Sequence, residues 1–150
     1  MLKRRNVMSQ EKHDLGREFY KKVYADTLPE MPERGQFAFF DHMLENLFGT
    51  LWADEESLSI RDRRLVILGV IMSVGSYDLF SIQARAALMN KELGIKELEQ
   101  IIITGTQYCG YPKVAAFNAI LKEFMDEFSK LYWKYVEEGK YRQKLPAKKR

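Results

Sequence analysis

The chain has 150 residues, of which 46% are hydrophobic and 13% aromatic, and it carries 24 basic and 21 acidic side chains. This length suits one domain, and the apolar content excludes a disordered chain. Much of the net charge of +3 lies at the two ends, around Arg4 and Lys149. No aromatic residues interleave with these basic tails, so we expect solvated ends and no nucleic-acid partner.

The first two helices are predicted from apolar spacing and from the residues that interrupt it. Leu15, Phe19 and Val23 recur every four residues and predict a helix over residues 11–24. Two prolines follow, and a second apolar series then predicts a helix that ends near Gly49.

The third helix is predicted over residues 60–75. Ser59 is its expected N-cap, with Asp62 three residues later in an arrangement like a capping box. Most of this helix is apolar on every side, which is typical of a helix buried at the centre of a bundle or in a subunit interface. A fourth helix follows over residues 77–92.

The fifth helix is predicted from about residue 96 to Cys109, and the sixth from Pro112 to about residue 138. Proline fits the first position of a helix because its missing N–H would be unpaired there in any case. No strand-like alternation and no internal repeat occur. The sequence therefore predicts an all-α fold, a single-domain bundle of about six helices.

Cysteine content and hydropathy bear on the compartment. The lone Cys109 excludes an intrachain disulfide, which fits a reducing cytoplasm. The longest apolar run, residues 65–74, is far shorter than the ~20 residues that span a bilayer. We therefore expect a cytoplasmic protein with no membrane partner.

The chemistry-bearing residues give no active site by spacing alone. Asp41-His42-x-x-Glu45 is either a weak metal-ligand set or a solvated polar face, and a metal site needs three or four protein ligands. Cys109 is predicted near a helix C-terminus, where a small buried hydrophobic role is more common than a nucleophilic one. We expect no metal and no cofactor.

The densest internal charge cluster is Arg61-Asp62-Arg63-Arg64, at the start of the third helix. One interpretation is a clamp for the carboxylate of a substrate. The other, which we favour, is a set of ion pairs with the acidic residues 54–56 or with another subunit.

Several runs of the sequence carry a resemblance to a known family: Phe48-Gly49-x-x-Trp52, Leu58-Ser59-x-Arg61, Arg85-Ala86-Ala87-Leu88, and Tyr108-Cys109-Gly110-Tyr111-Pro112 followed by Asn118-Ala119. With these motifs the chain resembles the carboxymuconolactone decarboxylase family. The resemblance implies an alkylhydroperoxidase D-like helical fold, assembly into trimers or hexamers, and sites near subunit contacts. The resemblance covers residues 36–125, which we take as the family-like domain. The apolar spacing and the charge outside it indicate an N-terminal helix and linker over residues 1–35 and a C-terminal helix extension with a basic tail over residues 126–150.

The peroxidase branch of this family uses a CxxC pair with a Glu and a His as a proton relay. On this chain the two Cys positions fall on Ser76 and Leu79, the His on Gln83 and the Glu on Arg64. Because no thiol pair exists to cycle through a disulfide, we do not expect peroxidase activity.

The decarboxylase branch is matched only partly. Its usual Glu and His on the fifth helix fall on Gln100 and Thr104, and its His on the fourth helix falls on Gln83. These neutral side chains do not titrate near neutral pH. Tyr108 continues the face of Gln100 and Thr104, which is either the lining of a polar pocket or a satisfied, water-filled remnant of one. In the first case these residues and Gln83 are expected to converge on one cavity, with Tyr108 as the proton donor.

Two functions remain open. One is a lyase or isomerase that acts on a small carboxylated ring or lactone, with Arg61, Arg63 or Arg85 binding the carboxylate. The other is a non-enzymatic oligomeric binding or scaffold protein that has lost the family's catalytic residues. Both predict a homo-oligomer, a trimer or hexamer.

Overall fold

The fold is that of a computed structural model, which describes the backbone of residues 2–137 and the side chains of residues 10–129. The helices are α1 (Leu2–Val23), α2 (Ala38–His42), a π-helix (Met43–Trp52), α3 (Ile60–Val74), α4 (Tyr77–Met89), α5 (Ile95–Cys109), α6 (Tyr111–Val114) and α7 (Phe117–Glu137). Within the described residues there is no strand, which confirms the all-α prediction. None of the described helices combines the length and the apolar character needed to cross a membrane. The predicted basic tails lie outside the described side chains.

The ends of α3 follow the sequence signals. The Ser59 hydroxyl accepts a hydrogen bond from the backbone N–H of Asp62 at 3.1 Å, as predicted for an N-cap. Gly75 ends the helix in the left-handed conformation, with a φ of 75°, which glycine adopts without steric cost. The apolar composition of α3 overstates its burial, however, because Val66, Val70 and Val74 are exposed.

The second helix was predicted to end near Gly49, but it continues as a π-helix to Trp52. Gly49 serves a different purpose, since a Cβ atom there would lie 2.1 Å from the backbone oxygen of Lys12. On the facing helix a Cβ atom at Gly16 would lie 2.1 Å from the backbone oxygen of Leu44. The two glycines therefore allow the backbones of α1 and the π-helix to touch.

The predicted sixth helix is divided into two. α6 ends at Val114, and α7 begins three residues later at Phe117. Both of these side chains are fully buried, so the turn between them directs two consecutive elements into the same core. α7 then continues without a break to Glu137, close to the predicted end of the sixth helix near residue 138.

The interior contains two apolar clusters. The larger one is formed by α3 to α7, which we call the bundle. The smaller one is formed mainly by α1 and the π-helix, which together with α2 we call the N-terminal unit, and it includes Phe19, Val23, Phe48 and Trp52. Ile67 of α3 packs against both clusters and lies where the two units meet.

Candidate functional site

A fully buried arginine lies at the junction of the two units. Arg64 of α3 has no exposed surface. Its Nε and Nη2 atoms donate to the two carboxylate oxygens of Glu92 at 2.9 and 3.1 Å, and Nη2 also donates to the backbone oxygen of Val23 at 2.5 Å. The guanidinium carbon lies 5.3 Å from the ring centre of Trp52. A two-point ion pair of this kind satisfies a buried charge by geometry as well as by sign.

The other side of the Arg64 guanidinium contacts an amide. Its Nη1 atom donates to the side-chain oxygen of Gln83, and the Gln83 nitrogen donates to the Tyr24 hydroxyl at 3.2 Å. Burial raises the pKa of Tyr24, although the charge of Arg64 and the hydrogen bond from Gln83 act in the opposite direction. Tyr24 therefore stays protonated at neutral pH.

Asn90 completes this group, which we call the Arg64 cluster: Tyr24, Arg64, Gln83, Asn90 and Glu92. The Asn90 amide donates to the backbone oxygen of Lys22 at 2.8 Å and to Glu92 at 3.1 Å. The turn after α4 brings Asn90 and Glu92 into place, with the intervening Lys91 at a φ of 58°. Because the charge of Arg64 is already neutralised and four of its five N–H donors are used, the cluster is suited to joining elements and not to moving protons.

The predicted polar pocket does not form within one protomer. Gln83 is 6% exposed and faces Arg64, whereas Tyr108 is 88% exposed, and Gln100 and Thr104 are exposed as well. The reason is the orientation of α5, which buries another face and turns these three residues outwards. Gln100, Thr104 and Tyr108 thus lie on the outside of α5, away from the cavity that we predicted they would share with Gln83.

Two of the three arginines predicted to bind substrate are engaged in ion pairs at the surface. Arg61 donates to the carboxylate of Glu97 at 2.7 Å. Arg85 pairs with Glu127 and lies 5.2 Å from the ring centre of Phe124. These partners lie in the bundle, and all four charged side chains are solvent-accessible.

Arg63 is the third predicted substrate-binding arginine, and it is buried. Its Nη2 atom donates to the backbone oxygen of Asp54 at 2.5 Å, while its Nε atom has no hydrogen-bond partner. Among the described residues, no ion pair joins Arg61, Arg63 or Arg64 to the carboxylates of residues 54–56, so that expectation is wrong. Ion pairs with another subunit stay a prediction. The loop offers Arg63 a carbonyl, while Arg64 takes its carboxylate from Glu92, because the turn after α4 reaches the buried side of α3.

The two other candidates from the sequence are the possible metal-ligand set around His42 and the lone Cys109. His42 is exposed and lies near Asn46, at 3.5 Å between its Nδ1 atom and the amide nitrogen. Across the described residues, no three His, Cys, Asp or Glu side chains come together as metal ligands would. Cys109 ends α5 as predicted and is partly buried.

Tyr24, Asn90 and Glu92 were not predicted as site residues, although the sequence contains a signal for the burial of their partner, Arg64. Arg64 stands midway between Ile60 and Leu68 at a spacing of four, and both of these residues are buried. An arginine in such a row must be buried too, and a buried guanidinium requires a carboxylate. The spacing does not say which carboxylate, because Glu92 is 28 residues away along the chain.

Comparison with known proteins gives one finding. The family model described as the Carboxymuconolactone decarboxylase family matches residues 38–123, which is more than half of the chain. No curated protein and no solved structure matches. The match covers the π-helix and most of the bundle but not α1. The chain belongs to the carboxymuconolactone decarboxylase family.

Proposed function

We propose that this member of the family is a non-enzymatic, oligomeric binding or scaffold protein. The observation that carries the proposal is the Arg64 cluster. By the resemblance, Arg64 and Gln83 occupy two positions of the family's proton relay, and here they hydrogen-bond to each other in a buried structural contact. An arginine and an amide cannot exchange protons near neutral pH, so this contact supports a role in the fold.

The surroundings of the cluster support the same proposal. The Arg64 guanidinium has no exposed surface and already binds a carboxylate, that of Glu92. A substrate carboxylate would have to displace Glu92, which would then be left buried without its counter-charge. Breaking a buried pair in this way is strongly unfavourable.

A second candidate, a lyase or isomerase acting on a small carboxylated ring or lactone, is favoured by one observation. Gln100, Thr104 and Tyr108 form a polar row on the exposed face of α5. If a neighbouring subunit covered this row, it would enclose a polar site with Tyr108 as the proton donor. Arg61, which pairs with Glu97 near the start of α5, would be a cation for the carboxylate.

The proposal includes a homo-oligomer, a trimer or hexamer as the family resemblance implies. Its support is apolar surface on two neighbouring helices of the bundle. Val66, Val70 and Val74 of α3 are more than half exposed, and Ile103 of α5 is 47% exposed. Covering these side chains with a second copy would remove apolar area from water.

Turnover of carboxylated lactones distinguishes the two candidates. The purified protein would be incubated with a panel of these compounds and followed by ultraviolet absorbance, beside a Tyr108→Phe variant as the matched control. We expect no turnover by either protein. Turnover by the wild type that the variant lacks would contradict the proposal and establish the lyase.

A further inference from the structure

The end of α1 covers the Arg64 cluster, although α1 lies outside the part of the chain that matches the family. The backbone oxygen of Val23 accepts from Arg64, and that of Lys22 accepts from Asn90. Just beyond the helix, the Tyr24 hydroxyl accepts from Gln83. The relay positions of the family are therefore sealed by an element that precedes the matched domain.

These contacts differ in kind from those that hold α1 to its other neighbour. Towards the bundle, the last turn of α1 and Tyr24 just after it make the three polar contacts described above. Towards the π-helix, α1 packs through an aromatic group in which the ring centres of Tyr20 and Tyr24 lie 5.3 and 5.7 Å from that of Phe48. The apolar core of the N-terminal unit also includes Ile60, the first residue of α3, and Ile67 packs against it. The junction with the bundle therefore combines these two apolar side chains with the three polar contacts.

A polar junction opens at lower cost than an apolar core. When such contacts separate, each buried donor and acceptor exchanges its partner for water, so the net loss per hydrogen bond is small. Opening an apolar core exposes area that water cannot compensate. Residues 53–59, between the π-helix and α3, contain no helix and connect the two units.

We propose that the N-terminal unit is a hinged cover over Arg64. It swings about residues 53–59 with Ile60 beside the hinge, so that the core of the bundle stays intact and the smaller core separates only from Ile67. Its opening brings the Arg64 guanidinium and the Gln83 amide into contact with solvent. The movement sets how far Arg64 and Gln83 are exposed, and it does not depend on which of the two candidate functions is correct.

Chemical labelling of arginine tests the cover in the full-length protein. Phenylglyoxal modifies accessible guanidinium groups, and peptide mass spectrometry measures the rate at each arginine. The test variant is Tyr24→Phe/Asn90→Ala, which removes two junction contacts together with the hydrogen bond from Asn90 to Glu92. It keeps the Arg64–Glu92 ion pair and the apolar side chains of both cores. The control is Tyr77→Phe, which removes a hydroxyl hydrogen bond to the backbone oxygen of Lys113 within the bundle.

We expect labelling of Arg64 to be about 10- to 30-fold faster in the double variant, as loss of two net hydrogen bonds implies. Arg61, which is exposed in every state, should label at an unchanged rate, and so should every arginine in Tyr77→Phe. Amide hydrogen exchange in α5 should also stay unchanged. Equal labelling of Arg64 in all proteins would overturn the proposal, and so would a rise in labelling that α5 exchange matches, because that indicates global unfolding.

Discussion

Arg64 and Arg61 lie three residues apart in one helix, and their ion pairs have different consequences. The Arg61–Glu97 pair is about half exposed, so water screens it and its contribution to stability is small. Arg64 and Glu92 are 0% and 9% exposed, so each is compensated chiefly by the other and by nearby amides. Loss of one partner therefore leaves a buried charge, which is among the most destabilising single changes.

Tyr24 makes the stability of the protein depend on pH in the alkaline range. Burial raises its pKa above the ordinary value of 10.0, so the folded state holds the phenolic proton more tightly than the unfolded state does. This contribution is complete below the unfolded pKa and is lost as pH rises through the folded one. We expect the free energy of unfolding of Tyr24→Phe to fall less than that of the wild type between about pH 8 and about pH 11. Urea denaturation at the two pH values measures this difference, and parallel losses would contradict the burial of the hydroxyl.

At the scale of elements, the contact between α1 and the π-helix is set by two glycines. A side chain at Gly16 or Gly49 would meet the backbone of the opposite helix, which has no rotamer with which to move away. The third glycine within a helix near this region, Gly69 of α3, has open space where its Cβ atom would be. Replacing glycine by alanine should therefore lower the stability of the protein at Gly49 and raise it at Gly69.

Gly49→Ala should destabilise the protein by about 3 kcal/mol, because the new methyl group would meet the backbone oxygen of Lys12. Gly69→Ala is its matched control and should stabilise the protein by about 0.5–1 kcal/mol, since alanine loses less backbone entropy in a helix. Urea denaturation of both variants measures these changes. A Gly49→Ala protein as stable as the wild type would show that the two helices do not touch there.

Features set by neighbouring residues could be predicted from the sequence, whereas features set by contacts distant in sequence could not. Local signals, such as the Ser59 cap of α3, located helix ends well because they act within a few residues. Gly49 was predicted as a stop because a glycine lowers helix propensity, yet contact with α1 decides its role. The site was harder still. Gln83 was predicted, but its burial against Arg64 and the part played by Glu92 depend on contacts distant in sequence.

At the scale of the whole molecule, α3 contacts three surroundings at once. One side contributes Leu68 and Met72 to the core of the bundle, and another meets the N-terminal unit through Arg64 and Ile67. A third side presents Val66, Val70 and Val74 to solvent at a spacing of four. A single stripe of this kind matches the surface of a helix that packs against a second copy.

Val70→Glu should weaken the proposed homo-oligomer, because a carboxylate in the middle of an apolar interface would be desolvated without a partner. Size-exclusion chromatography with light scattering would show an oligomer for the wild type and a smaller species for the variant. Lys122→Glu, on an exposed position of α7, is the control and should keep the wild-type mass. A monomeric wild type would refute the oligomer, and an unchanged mass for Val70→Glu would place the interface elsewhere.

The Arg64 cluster, as we describe it, is part of the fold and not a reaction centre. Equilibrium unfolding of Arg64→Met, Glu92→Met and the double variant tests this directly, with Arg61→Met as the exposed control. Each buried single variant should lose about 3 kcal/mol or more of stability, while the double variant should recover much of that loss because no unpaired charge remains. Arg61→Met should lose less than about 1 kcal/mol. If Arg64→Met were no less stable than Arg61→Met, the buried pair would not hold the fold together, and a structural role for the Arg64 cluster would be contradicted.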